Sequence, residues 1–112
     1  MIIYYKNKKI DVDVKKLSDF GKGIGLMFRT SKTRNLLFEF NKDVNVAVTS
    51  YFVFFPFLAV WLDDKNKVLE TQVIYPFTVA VNPSKKFRKL VELPFNDDNK
   101  QTINFLVGKR KV

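Results

Sequence analysis

The chain has 112 residues, a net charge of +9, and neither cysteine nor histidine. That length holds one core, so a single domain over residues 1–112 is expected. Without cysteine there is no disulfide scaffold and no thiolate zinc site. Without histidine the usual general base near neutral pH and the commonest metal ligand are both gone, so no catalytic residue, metal or cofactor is assigned.

The apolar fraction is 46%, with 12 Phe, 4 Tyr and 1 Trp, enough bulky side chain to fill a core. In chain order, residues 2–5 and 9–14 read as a hairpin around Lys6, Asn7 and Lys8; Ile10, Val12 and Val14 alternate with Asp11 and Asp13 as a half-buried strand requires. Ser18 and Asp19 mark a helix start, which Gly21, Gly23 and Gly25 keep short. A strand is expected over 35–40, a turn over 41–43 and a second strand over 44–48.

Residues 44–62 are uncharged for nineteen positions, the length of a membrane span. Pro56 interrupts them, and their β-branched and aromatic content favours strands over 51–55 and 57–62, so no membrane span is assigned. Asp63 to Asn66 form a turn into a strand over 67–74. Short strands follow over 78–81, between Pro76 and Pro83, and over 87–93, ended by Pro94. Asn96, Asp97 and Asp98 start a helical turn through Asn104, and Val107 opens a last strand. The sum is a mainly-β domain: a single compact β-barrel or β-sandwich with one or two short helices.

Gly21-Lys22-Gly23-Ile24-Gly25 has the wrong spacing for a dinucleotide loop, and no Gly-Lys-Ser/Thr follows it. The charge offers more. Sixteen Lys and four Arg face eleven acidic residues, and two clusters stand out: Lys85, Lys86, Arg88 and Lys89, and Lys109, Arg110 and Lys111. If they converge beside exposed Tyr4, Tyr5 or Tyr75, they form a nucleic-acid surface; otherwise they are solvated faces. Lysine dominance favours solvation, since phosphate readers lean on arginine. The lack of cysteine and of a signal sequence fits the cytoplasm.

Gly25-Leu26-Met27-Phe28-Arg29, Leu36-Leu37-Phe38-Glu39-Phe40, Phe52-Val53-Phe54-Phe55-Pro56-Phe57, Trp61-Leu62-Asp63, Val68-Leu69-Glu70, Pro76, Pro83, Val91-Glu92-Leu93-Pro94 and Val107-Gly108 follow one another in order. This series resembles the family termed domain of unknown function 192, of bacteria and archaea, and the aromatic run before Pro56 is most similar to its archaeal branch. The resemblance implies a mainly-β barrel or sandwich with a short helix before the Gly-Leu-Met element, and no activity. It departs from the family pattern at polar positions: Leu58 stands where Asp is expected, apolar residues replace Met-Lys-Asn before Pro56, and Gly108-Lys109 replaces Gly-Asp. Met27 and Phe28 are expected in the core, and Pro56 at a strand bend. Arg29 and Glu92 are the retained charges. They either pair and pin two strands or bind a small ligand. The functional expectation is a non-catalytic binding or accessory module using a cleft at the mouth of the β-structure, with a basic nucleic-acid-associated protein as the alternative. A protein partner docking on an exposed strand edge also fits.

Overall fold

The computed structural model describes residues 1–17, 29–50, 52–78 and 80–108. Its strands are β1 (Ile2–Tyr5), β2 (Lys8–Asp11), β3 (Val14–Lys16), β4 (Asn35–Val44), β5 (Phe57–Leu62), β6 (Val68–Ile74) and β7 (Phe87–Pro94). A 3-10 turn (Asp97–Asn99) leads into helix α1 (Lys100–Leu106). β1 and β2 form an antiparallel hairpin, and the other strands form one sheet in the order β3-β4-β7-β5-β6. All neighbours in that sheet are antiparallel except β3 and β4. The mainly-β expectation therefore holds, but the described strands leave β3 and β6 at open edges rather than closing a barrel.

β5 reads Phe-Leu-Ala-Val-Trp-Leu without a polar residue, and every one of its residues is buried. An unbroken apolar run of this length suits a strand covered on both faces. Phe57, Ala59 and Trp61 project into one core cluster with Leu36, Phe38, Leu90 and Phe87. Leu58, Val60 and Leu62 project into the other with Val91 and Leu93. The β1–β2 hairpin and α1 cover the second face through Ile3, Val12, Ile103 and Leu106. The first face is covered by two irregular segments that run between the ends of the sheet and meet at a Val48–Val81 bridge, with Val53 and Phe55 turned inward.

Several local expectations are corrected. The turn over 41–43 does not form; β4 continues through it to Val44, absorbing the polar residues in a register shift against β7 between Glu39 and Val44. Among the described residues, the strands expected over 44–48, 51–55 and 78–81 do not form as such. Val48 and Val81 contribute only an isolated bridge, and Phe52, inside the expected 51–55 strand, adopts a left-handed backbone (φ 57°) that no strand sustains. Val107 caps the end of α1 instead of opening a strand. The expected helix at Ser18 and the core placement of Met27 and Phe28 lie outside the described residues. No helix among those described is long and apolar enough to cross a membrane.

A chain of amides around the buried Asn99 fixes the helix to the sheet. Asn99 Nδ2 donates to Pro94 O and to Asn35 Oδ1, both at 2.7 Å, and Asn35 Nδ2 donates to Asp13 O at 2.9 Å. Asn96 Oδ1 accepts from Asn99 N at 3.0 Å, starting the 3-10 turn as an N-cap. Replacing Asn99 by Ala strands two acceptors, so Asn99→Ala is expected to cost about 2 kcal/mol in urea unfolding, while the exposed Asn104→Ala stays within about 0.5 kcal/mol.

Candidate functional site

Glu92 lies on β7, the middle strand of the sheet, flanked in register by Leu36 on β4 and Ala59 on β5. Alternation aims its side chain at the same face as Leu90 and Trp61, into an apolar core. It is 6% exposed. Its carboxyl makes no ion pair with Arg29, whose guanidinium instead donates to Thr33 Oγ1 at 3.4 Å. The two retained charges are therefore not joined. Burial alone pushes the Glu92 carboxyl up to about 8, so it is largely neutral at pH 7. The Trp61 indole Nε1 on the same face is buried without a hydrogen-bond partner among the described residues.

Of the basic residues marked by sequence, Arg88 is held by Asp43 at 3.3 Å. Lys89 is held by Glu39 at 3.6 Å and by Asn66 Oδ1 at 2.6 Å. Lys85 and Lys86 are exposed. Lys109, Arg110 and Lys111 lie outside the described residues.

A different set of lysines converges. The β1–β2 turn is two residues long, with Lys6 and Asn7 at φ 50° and 65°, the left-handed pair that a twisted hairpin requires. β1 then reaches the β5–β6 turn: Tyr4 N donates to Asn66 O at 2.9 Å, Asn66 Nδ2 donates to Ile2 O at 3.0 Å, and Tyr4 bridges Lys67. Between the two turns lies a groove of about 420 Å³ lined by Tyr4, Tyr5, Lys6, Asn7, Lys9, Lys65 and Lys67. No carboxylate is among its lining residues. The nearby Asp63 is occupied by the backbone, its Oδ1 accepting from Lys65 N and Lys67 N at 2.8 and 2.9 Å. Lys6 Nζ sits 5.2 Å from the Tyr5 ring centroid, and Tyr5 meets Phe105 of α1 edge-on at 5.6 Å. Sequence reasoning named Tyr4 and Tyr5 but missed these lysines, because they come from two turns about sixty positions apart and form no run.

A second cleft, of about 380 Å³, lies where the β2–β3 link meets the 3-10 turn. It mixes Asp11, Asp13 and Asp98 with Lys32 and Arg34, and its amides are those already engaged in holding α1. No group of acidic residues among those described is placed to hold a metal.

The isolated acid in the core has a measurable signature. In the unfolded chain Glu92 ionises near 4.5, whereas in the fold it does so near 8, so the folded state holds the extra proton between those values. The contribution of Glu92 to stability is therefore full below about pH 4.5, falls by about 1.4 kcal/mol per pH unit above it, and levels off above about pH 8. Urea unfolding at pH 5, 6.5 and 8 should show this slope in the wild type and its loss in Glu92→Gln.

The geometry can be set beside known proteins. A crystal structure from Sinorhizobium meliloti 1021, provisionally described as a transcription regulator, superposes with a TM-score of 0.73 at 14% identity, covering 90% of this chain and 81% of that one. A protein of unknown function from Novosphingobium aromaticivorans DSM 12444 superposes at 0.71 with 10% identity, covering 89% and 74%. At these identities the likeness concerns the fold alone. No functionally curated protein matches the chain. The model of the family described as Uncharacterized ACR (DUF192) matches residues 2–105, nearly the whole chain, and the protein accordingly belongs to the domain of unknown function 192 family.

Proposed function

We propose that this chain is a non-catalytic binding module whose working surface is the groove between the β1–β2 and β5–β6 turns, and that its ligand is anionic. The observation that carries this reading is the convergence of Lys6, Lys9, Lys65 and Lys67 on one groove without a lining carboxylate. Ammonium groups lining one groove repel, and a bound anion relieves that repulsion. The exposed Tyr4 ring adds a planar, apolar surface beside them. Nothing in the groove supplies a general base or a nucleophile with an activating partner.

A second reading, single-stranded nucleic acid as the ligand, is favoured by one feature: an accessible tyrosine beside the lysines, the pairing that stacks a base while neutralising its phosphates. The groove adjoins a hollow lined by Lys6, Gln101, Asn104 and Phe105, which extends the path along α1. Lys85 and Lys86 remain exposed for further phosphate contacts, whereas Arg88 and Lys89 are already engaged.

Fluorescence anisotropy with labelled single-stranded and duplex oligonucleotides, from 50 to 300 mM salt, tests both. Four lysine–phosphate contacts predict a log–log salt slope of about −3 on single strands. The double variant Lys6→Gln/Lys67→Gln should halve that slope, and Tyr4→Ala should weaken binding without changing it. Binding of a mononucleotide or polyphosphate without preference for oligonucleotides would retain the anion site and remove the nucleic-acid reading. Binding unaffected by the lysine variants, or none at 50 mM salt, would overturn both.

A further inference from the structure

The two segments that cover the first face of the sheet carry an unusual outer surface. Residues 44–62 and 71–84 contain no charged residue, although 28% of the chain is charged. Where they meet they expose Phe52 (48%), Phe54 (60%), Tyr75 (65%) and Phe77 (50%). The Phe77 ring stands edge-on to Phe54 at 5.4 Å and to Phe52 at 6.4 Å, so three of these side chains form one patch.

This display is built, not frayed. Ser50, fully buried, joins the two segments with every polar atom it has. Its hydroxyl donates to Tyr75 O and accepts from Thr78 N, both at 2.6 Å. Its carbonyl accepts from Val53 N and Phe77 N at 3.1 and 2.9 Å, and its N–H donates to Thr78 O at 3.1 Å. Phe52 and Phe77 hold left-handed backbones, a conformation that strains a bulky residue where Asn or Gly would sit more easily. Both residues nonetheless leave about half of their surface exposed. A contiguous exposed aromatic patch on a soluble fold marks a recognition surface.

We propose that the occupant of this patch is a second copy of the same chain. The argument is one of charge. At +9, two copies repel wherever their lysine-bearing faces meet, and self-association requires a contact face without charge. The aromatic ribbon is such a face, with Glu70, held by Ser84 N and Oγ at 2.9 and 2.7 Å, at its border. An acidic partner would instead be drawn to the lysine faces, where complementarity lies. A surface that is uncharged and aromatic complements itself, and closes as an isologous two-fold dimer. The dimer leaves the basic groove open, since that groove lies at the β1–β2 and β5–β6 turns.

This origin sets the sign of the salt effect. Contacts without charge are not screened, whereas the repulsion between two +9 bodies is, so dimerisation strengthens as salt rises. That is opposite to the salt dependence of ligand binding in the groove. Sedimentation velocity from 5 to 500 µM at 50 and 500 mM salt is expected to show a monomer–dimer equilibrium whose Kd tightens severalfold at the higher salt. Phe54→Ser, and separately Phe77→Asn, whose side chain tolerates the left-handed backbone, should weaken it at least tenfold while leaving the circular dichroism spectrum unchanged. Lys67→Gln should leave the dimer intact. A monomer at 500 µM in 500 mM salt would overturn the proposal, as would a dimer indifferent to both Phe variants. Cosedimentation of a monomer with phosphatidylcholine–phosphatidylglycerol vesicles, lost in Phe54→Ser, would also overturn it and assign the face to a lipid surface.

Discussion

The structure depends on β5 being buried on both faces. Its alternating side chains divide the interior into two cores, one with Phe57, Ala59 and Trp61 and the other with Leu58, Val60 and Leu62. Full burial of large apolar side chains is worth about 1.5–3 kcal/mol each, so neither face can be left wet. Two covers are therefore obligatory. The hairpin and α1 supply one, and the paired irregular segments supply the other. β7 lies beside β5 and shares this constraint, which is how Glu92 comes to be held in an apolar core.

The covers also determine where recognition can occur. Because the hairpin has to lie over the second face, β1 comes within hydrogen-bonding distance of the β5–β6 turn, and the lysines of two turns meet. Because the irregular segments have to bring Val48, Val53, Phe55 and Val81 inward, the neighbouring Phe52, Phe54, Tyr75 and Phe77 are driven outward. Ser50 then holds those residues in a fixed array. The groove and the aromatic patch are thus products of the same packing requirement, one electrostatic in character and the other apolar. They differ in how salt acts on them, which makes them separable in solution.

Membership of the domain of unknown function 192 family brings a fold and no activity. The departures from the family pattern make physical sense within that fold. Leu58, standing where Asp is expected, is fully buried on the second face, where an unpaired carboxylate would be costly. Glu92, by contrast, is retained, and its burial holds it mostly protonated at neutral pH.

Much of this was legible in the residues themselves. Period-two alternation, the apolar run of β5, the Asp63–Asn66 turn and the Asn-Asp-Asp helix start are local signals, and local signals survive folding because backbone geometry fixes which side chains share a face. The absence of histidine and cysteine likewise limited the chemistry directly from composition. Only the tertiary structure decided that the sheet stays open, that the described residues of 45–56 and 75–86 run as irregular covers, that Arg29 and Glu92 stand apart, and that Lys6, Lys9, Lys65 and Lys67 meet. These outcomes depend on contacts between residues far apart in sequence, such as Tyr4 with Asn66 and Ser50 with Tyr75. No pattern along one segment encodes such a contact, because it exists only once a distant surface has been buried.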